Sequence, residues 1–518
     1  MSIGSVTRAC EAFTPRRPFI SPISQLSVSS IRLQKLIAVT GVFVLSRIAY
    51  ALAGVRFDAG ALHPSSAAQV PWQLLPVHLL RHDLGQSIWN LHSQPPLYNL
   101  FCGALLHLPR GWQTPVAHSV YIGLGLALTI ASYMLLDGLG CGTKTAFAVT
   151  VLVVANPAVV LYENWLSWSY PTAVLVTVGM CFLLRWTITS RTRWAAAALS
   201  CFAAVVLIDA TFQWPWLLAM TAVAALAGRH HWRRALLAAA IPIAIAGGWY
   251  AKNAIQVGSP TTSTWLGMNL YQTTLGLAAR SDLRSLTHSG ALDRLAGVPP
   301  FQPVSRYAPR FTSDPRTGAP ATESPSTRLG VPNYNDAVYT LVSGRYLSDD
   351  LAYINARPAK YASNVSLAAE IWTTPADQYT WLKGNRSRIA GFAGLYDRAV
   401  LAQVHTGAGK AGVAAELHGT RPPAATISWT SVALLLADLL VAPAALLLRR
   451  KDRLWLACGT AMWLTVLYSF TVTSLTEVGE NMRFRLELGA IPVVLAVAAI
   501  SALVTRKKFE GAGLSTGP

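Results

Sequence analysis

Residues 170–187 read YPTAVLVTVGMCFLLRWT, and this run decides the fold class. Its only charge is Arg185, near its end, and its length approaches the roughly 20 apolar residues that a helix needs to cross a bilayer core. Comparable runs recur along the chain. We therefore predict an all-α polytopic membrane protein with about ten transmembrane helices, within a range of about nine to eleven. The predicted spans are 36–53, 117–136, 145–162, 170–187, 194–208, 213–227, 235–250, 427–448, 454–473 and 487–504.

The composition agrees with this fold class. Of the 518 residues, 53% are hydrophobic and only 13% are charged, which is unlike a soluble protein. The formal charge of +19 would fit a nucleic-acid or an anionic membrane partner. Repeated apolar runs favour membrane lipids over nucleic acid, so we expect no nucleic-acid partner. The six cysteines form no CxxC pair and predict neither a disulfide framework nor a zinc site.

The positions of Lys and Arg predict the orientation, because short cytoplasmic loops are enriched in them. When the spans are counted between the basic clusters, every cluster falls on one side. This predicts a cell-membrane protein with both termini in the cytoplasm and outward-facing segments at 54–116, around Glu163, at 251–426 and around Glu480. The clusters contain Arg16, Arg17, Arg32, Lys35, Lys144, Arg185, Arg191, Arg193, Arg229, Arg233, Arg234, Arg449, Arg450, Lys451, Arg453, Arg506, Lys507 and Lys508.

Five regions follow from this topology. Residues 1–35 form a polar cytoplasmic tail without the apolar core of a cleaved signal peptide. A membrane module includes the first outer loop, and a large outer segment with amphipathic stretches is expected to be mainly helical. The remaining regions are the last spans and a second cytoplasmic tail. Their predicted boundaries are 36–250 for the module, with its loop at 54–116, then 251–426, 427–504 and 505–518.

The first outer loop carries the first candidate site residues. Asp58 directly follows the first span, so it is either a solvated charge at a helix end or a group that acts at the level of the lipid headgroups. His92 and Gln94 precede two prolines, which fix an extended entry into a helix. Apolar stretches at 72–80 and 97–108 are too short to span, and we expect surface helices there. The loop histidines lack an HExxH pattern, which disfavours a zinc site.

Two further outer turns carry candidates. Glu163 ends a span, and it is either an interfacial anchor or a second carboxylate that converges with Asp58. The last turn, just before the last span, contains Glu477, Glu480, Asn481, Arg483 and Arg485. Two arginines at i and i+2 cannot share a helix face, but both could reach a phosphate from an extended loop. Arginines on the outer side also go against the positive-inside bias, which favours a functional role.

Together these features resemble a known class. The chain is similar to the GT-C class of polytopic glycosyltransferases, and in particular to bacterial relatives of protein O-mannosyltransferases and lipid A aminoarabinose transferases. The similarity lies in Asp58 after the first span, in the sequence HSQPPL at 92–97, in Glu163 after the third span and, less strongly, in Glu480 to Arg485. Asp58 is followed by Ala59, where the family often has a second acidic residue.

The resemblance implies an activity. A sugar would pass from a polyprenyl-phosphate carrier to a lipid, polysaccharide or protein acceptor on the outer face, with inversion at the anomeric carbon. Asp58 would act as general base, and Glu163 would orient the acceptor or help to hold a divalent cation such as Mg²⁺ or Mn²⁺. Arg483 and Arg485 would neutralise the leaving phosphate. The substrate-binding set would comprise His92, Gln94, Glu480, Arg483 and Arg485.

Two alternatives come from other classes. A transporter or flippase of a lipid-linked saccharide would carry charged groups near the middle of the membrane, and Asp209 is the nearest example in this sequence. An O-antigen-ligase-type enzyme or a non-catalytic envelope protein would share the large outer loop. The ligase would depend on arginines within that loop and would tolerate substitution of Asp58.

Overall fold

The computed structural model describes residues 22–228, 231–307, 318–324, 326–327, 329–405 and 426–513, with side chains described between residues 34 and 504. The structure it describes is 75% helical and has almost no sheet, which confirms the predicted helical class. The short strands Gln403–His405 and Thr426–Ser428 pair antiparallel. The outermost parts of both predicted tails, 1–21 and 514–518, lie outside the described residues.

Within the described ranges, six helices are long and apolar enough to cross a membrane, and two bent helix pairs bring the number to eight if each pair is one span. These helices indicate a membrane-embedded protein. The predicted spans 194–208 and 213–227 correspond to helices of 15 residues each, Thr192–Val206 and Trp214–Gly228. At 1.5 Å per residue such a helix covers only about 22 Å of the roughly 30 Å core. The six helices are Gln34–Leu52, Arg110–Gly138, Ser169–Thr189, Trp232–Val257, Trp429–Leu448 and Arg453–Thr476.

Both bends have a local cause. Thr143–Ala155 and Pro157–Glu163 meet at 56°, where Pro157 starts a new helix and the side chain of Asn156 caps it by accepting from Ala158 N at 2.9 Å. Asn481–Glu487 and Ile491–Val504 meet at 67°. Gly489 between them has a φ of +61°, a conformation that favours glycine.

Side-chain contacts between spans show which helix ends lie together. Lys35 Nζ donates to Thr143 Oγ1 at 2.8 Å, whereas Tyr50 OH donates to Ala155 O at 2.9 Å. The first span and helix Thr143–Ala155 therefore run parallel, and the Lys35 end is opposite to the end that leads to Asp58. Lys35 and Lys144 therefore lie at the end of the bundle away from Asp58.

The first loop contains three helices, Val77–His82, Leu84–Trp89 and Pro96–Leu106. The second predicted stretch, 97–108, is therefore helical. In the first stretch, 72–80, Pro76 directly precedes the helix, so residues 72–76 are not helical. The helix Pro96–Leu106 starts at a proline, whose fixed φ suits the first helical turn.

The large segment divides between two hydrophobic cores. Buried residues between Trp265 and Tyr353 form one core together with Val70 of the first loop. Residues between Leu367 and Ala393 instead join the core of the membrane helices. The predicted region 251–426 is therefore attached to the membrane module along its second half. Its helices are Leu266–Thr273, Arg280–His288, Pro320–Glu323, Val338–Ala356, Pro358–Trp372, Lys383–Arg388 and Ala390–Ala399.

Candidate functional site

A cavity of about 820 Å³ opens at the end of the bundle where the first span leads into the first loop. Its wall combines the first loop, the turn between the two short helices, the start of the large segment and the turn after helix Arg453–Thr476. Its volume is in the range of small-molecule sites. The predicted site residues on its wall are Asp58, Gln94, Glu480 and Arg483.

Asp58 is held by its backbone. Its N–H donates to Asn164 O at 2.8 Å and its carbonyl accepts from Leu166 N at 2.9 Å, which forms a short parallel bridge beside Trp165. The side chain is exposed, and its Oδ1 accepts from Gly60 N at 2.9 Å. The backbone position is thus fixed while the carboxylate faces the cavity, as a reacting group requires.

Arg483 lies deeper in the wall and is already paired. Its guanidinium contacts Glu480 Oε2 at 2.8 Å and Glu487 Oε1 at 2.5 Å, and it packs over the Trp168 ring at 5.1 Å. Glu480 Oε1 also accepts from Tyr379 OH at 2.7 Å. Arg483 therefore belongs to an ion-pair network rather than standing as a free cation.

Two further acids line the cavity. Asp209 is only 3% exposed; its Oδ1 accepts from Thr211 N at 2.9 Å, and its carboxyl lies within hydrogen-bonding range of the carboxyl of Glu487. Glu477 is buried, and burial together with the neighbouring Glu480 raises the pKa of its carboxyl well above the usual value. The sequence pointed to Asp209 only as an argument for transport, although an acid between two apolar helices is itself a functional signal.

The described wall of the cavity is therefore acidic. It carries the carboxyl groups of Asp58, Asp209, Glu477 and Glu480 against one guanidinium, that of Arg483. Because Arg483 is already paired, a lipid phosphate on this wall would meet little net positive charge unless a cation accompanied it. Aromatic rings complete this part of the wall: Trp165 stacks on Trp381 at 5.9 Å, and Tyr379 lies beside them.

Glu163 does not appear on this wall. Its side chain is fully buried, with Oε2 at 2.6 Å from the guanidinium of Arg47 and at 2.7 Å from Tyr170 OH. Gly125 makes room for it, since a Cβ there would collide with the Glu163 carboxylate. Contrary to the expectation, Glu163 and Asp58 therefore do not meet on the described wall of the cavity, because the Glu163 carboxylate is paired with Arg47 of the first span.

Arg485 also lies away from the cavity wall. It is part of the helix Asn481–Glu487, so it points away from Arg483, as a spacing of two residues on a helix dictates. Its guanidinium donates to Trp372 O and Thr374 O, both at 2.8 Å. The extended turn that would have let both arginines reach one phosphate does not form, and Arg485 instead joins the last turn to the large segment.

His92 is fully buried behind the wall. Its backbone N–H donates to Asn335 Oδ1 at 2.9 Å, and its imidazole Nδ1 lies 3.0 Å from Thr264 Oγ1. Burial, with a smaller contribution from the charge of Lys252, lowers the pKa of its imidazole to about 4. His92 thus anchors the first loop to the large segment, while Gln94, two residues on, faces the cavity.

The depressed pKa of His92 predicts a pH dependence of stability. The folded chain keeps this imidazole neutral, while the unfolded chain takes up a proton below pH 6.5. Relative to a His92→Gln variant, the wild type should lose roughly 3 kcal/mol as the pH falls from about 6.5 to about 4. Thermal unfolding of both proteins in detergent across this range measures the difference. If the stability of the wild type and that of His92→Gln changed with pH in the same way, His92 would not be held neutral.

The described residues contain no group of three His, Cys, Asp or Glu side chains that could hold a metal ion. The pair expected to share a cation, Asp58 and Glu163, is separated by the binding of Glu163 to Arg47. Mg²⁺ sites that include substrate phosphates need only one or two protein carboxylates, and the cavity wall has these.

Fold and site together define a membrane-embedded helical protein with an acidic cavity, rich in aromatic residues, at one end of its bundle. No protein-family model, no curated protein and no solved structure matches the chain.

Proposed function

We propose that the chain is an integral membrane glycosyltransferase of the GT-C type, which moves a sugar from a polyprenyl-phosphate donor to an acceptor. The observation that carries this proposal is the cavity that gathers Asp58, Glu480 and Arg483 from opposite ends of the sequence. It lies at the end of the bundle, where a lipid-linked donor presents its phosphate, rather than midway along the spans.

The exposed carboxylate of Asp58 supports its role as general base. The acceptor hydroxyl gives its proton to Asp58 as its oxygen attacks the anomeric carbon of the donor sugar. The bond from that carbon to the phosphate oxygen breaks, and its electron pair leaves with the polyprenyl phosphate. Attack opposite the leaving group inverts the anomeric centre.

Arg483 would stabilise the leaving phosphate, since its guanidinium is the one cation on the described wall. It is compensated by Glu480 and Glu487, so the charge that the phosphate meets is small. A divalent cation carried with the phosphate remains part of the proposal, with Asp58 or its acidic neighbours as ligands. We assign Glu163 to holding the first span against helix Ser169–Thr189 rather than to the acceptor.

The orientation is proposed from the charges. Lys35 and Lys144 lie at the bundle end opposite to the cavity, and the positive-inside rule places that end in the cytoplasm. Both termini would then be cytoplasmic, and the cavity would face outward from the cell membrane.

A reconstituted assay tests the proposal. The purified chain in lipid nanodiscs is mixed with synthetic polyprenyl-phosphate sugars, and release of free polyprenyl phosphate is followed by mass spectrometry. Turnover of at least one such donor is expected, and an arm with a chelator, with Mg²⁺ or Mn²⁺ added back, tests the cation. Absence of release from every donor, with the chain folded, would count against a transferase.

One observation favours transport as the second candidate. Asp438 lies midway along the 20-residue helix Trp429–Leu448, in a π-helical turn at Ala437–Val441. It is fully buried, and neither carboxylate oxygen has a hydrogen-bond partner among the described residues. Acids at such depth often carry protons in transporters, and π-turns often mark functional sites.

Asp438→Asn separates the two candidates. For a transferase with its chemistry at Asp58, this isosteric change should leave donor turnover close to that of the wild type. For a proton-coupled transporter, it should abolish uptake of a lipid-linked saccharide into proteoliposomes. Loss of turnover in a folded variant would contradict the assignment of the chemistry to the cavity.

The described arginines of the large segment give no support to an O-antigen-ligase-type enzyme. None of them lines the cavity, whose one arginine among the described residues is Arg483. Arg386, for example, pairs with Asp377 at 2.8 Å and with Asp397 at 2.9 Å. A non-catalytic envelope protein would have no need of an exposed carboxylate on a fixed backbone.

A further inference from the structure

The cavity wall is rich in amide side chains. Besides Gln213, whose amide is already hydrogen-bonded within the protein, five of them line the cavity, and each amide can both donate and accept hydrogen bonds. Among the described residues, four of these side chains make no hydrogen bond to protein, and the fifth uses only its oxygen, which accepts from Ser65 N at 2.7 Å. The five are Gln69, Gln73, Gln94, Asn269 and Gln272.

These amides have free hydrogen-bonding capacity directed at one space. Asn269 and Gln272 are three residues apart on the helix Leu266–Thr273, so they share a face. Gln272 is only 9% exposed and makes no side-chain hydrogen bond among the described residues, so its amide is available to a ligand or water in the cavity. The wall is therefore suited to a ligand with many hydroxyl groups.

An aromatic platform lies on the same wall. Trp72 is 44% exposed and is supported by Phe301, whose ring centre lies 5.1 Å away, and by Tyr334 at 5.5 Å. Phe301 itself lines the cavity and has a φ of +60°, a strained conformation for a non-glycine residue that the aromatic cluster holds in place. Flat rings of this kind pack on the C–H faces of sugar rings.

The amides also reach the proposed base. Gly60 lies between Asp58 and Gln69: a Cβ on this glycine would be 3.0 Å from Asp58 Oδ1 and 3.5 Å from Gln69 Nε2. A hydroxyl compound bound by the amides would therefore extend toward the carboxylate of Asp58.

We propose that the surface formed by Trp72, Gln69, Gln73, Asn269 and Gln272 binds a neutral saccharide, and that this saccharide is the acceptor. That the bound saccharide is the acceptor rests on the proposed function, whereas the prediction that a saccharide binds does not. Neutrality follows from the wall, because the guanidinium of Arg483 is the one cation among its described groups and is already paired with Glu480 and Glu487, so an anionic glycan finds no free positive charge there. The free amides would find no partners on an acyl chain.

Ligand-observed NMR on the purified full chain in nanodiscs tests the binding. The probes are the neutral trisaccharides maltotriose and cellotriose, the anionic trigalacturonate and a serine-rich decapeptide. We expect saturation transfer to at least one neutral trisaccharide, and weaker or no transfer to the other two probes. Equal or stronger transfer to trigalacturonate or the peptide, or none to either neutral sugar, would overturn the proposal.

Variants locate the binding. Trp72→Ala should weaken the affinity for the neutral trisaccharide at least about tenfold, and Trp72→Phe should restore much of it. The double variant Asn269→Ala and Gln272→Ala should also weaken it, without loss of thermal stability. Trp112→Ala is the matched control, because Trp112 is 65% exposed and does not line the cavity. Unchanged binding by both Trp72→Ala and the double variant would place the ligand elsewhere and overturn the proposal.

Failure of this inference is distinguishable from failure of the proposed function. Asp58→Asn should keep trisaccharide binding while it loses sugar transfer. If Asp58→Asn retained transfer, the catalytic assignment would fail and the binding result would stand. If transfer required Asp58 but proceeded equally well in Trp72→Ala, the acceptor assignment would fail alone.

Discussion

Asp58→Asn is expected to lower sugar transfer by about 10²–10⁴-fold, because an amide cannot take the proton of the acceptor hydroxyl. The side chain has nearly the same shape and can still accept from Gly60 N, so the short bridge between Asp58 and Trp165 should remain. The rate of polyprenyl-phosphate release in nanodiscs measures the effect, with thermal unfolding as the check on folding.

Asp83→Asn is the matched control for this experiment. Asp83 lies in the same loop, is exposed and does not line the cavity. It should transfer sugar at the rate of the wild type. If Asp58→Asn and Asp83→Asn were equally active, Asp58 would not be the base.

Glu163→Ala is expected to destabilise the protein by about 3–5 kcal/mol, because it leaves the charge of Arg47 buried without its carboxylate. The two side chains share hydrogen bonds of 2.8 and 2.6 Å within the helix bundle. Thermal unfolding in detergent and the amount of folded protein in membranes should both fall. The double variant Arg47→Met and Glu163→Leu should recover much of the loss, since both charges are then removed.

The alternative role of Glu163 predicts a different outcome. If Glu163 oriented the acceptor, the conservative Glu163→Gln variant would fold with normal stability and lose activity. A structural Glu163 predicts lower stability, with the activity per folded molecule close to that of the wild type. A stable but inactive Glu163→Gln variant would show that Glu163 acts in the reaction rather than in stability.

The spans could be predicted because the length of each apolar run can be read from the sequence. The run at 170–187 lies within helix Ser169–Thr189, and five of the other predicted spans overlap helices that are long enough to cross a membrane. The first bend could have been placed as well, because Pro157 inside an apolar run marks a break in the helix. The second bend depends on the left-handed backbone of Gly489, which the sequence does not show. The number of spans could not be fixed either, because the helices at 192–206 and 214–228 have only 15 residues each.

The candidate site was predictable in part. Asp58, Gln94, Glu480 and Arg483 lie on the cavity wall, because topology alone brings the first loop and the last turn to one end of the bundle. Sequence shows the type of a residue and its side of the membrane, but not the partner of its side chain. Arg47 lies within the first span, where an arginine predicts a buried partner, but nothing in the sequence identifies Glu163 as that partner.

Sequence does not show the partners of side chains, and this also explains why the positions of Arg485 and of the cavity amides were not predicted. The backbone carbonyls that hold Arg485 come from a turn more than 100 residues away in the chain. Amides such as Gln69 and Gln272 stand out only when the structure shows that they share a space and leave hydrogen-bonding groups free. An acid between two apolar stretches, such as Asp209, is the one missed residue that the sequence pattern could have assigned to the site.

The most direct measurement is mass spectrometry of the envelope glycans of the source cells. Three strains are compared: one without the chain, one complemented with the wild type and one complemented with Asp58→Asn at equal membrane abundance. Sugar transfer at Asp58 predicts that one sugar residue is missing from a glycan in the first and third strains and present in the second. Identical glycans in all three strains, or full restoration by Asp58→Asn, would contradict it.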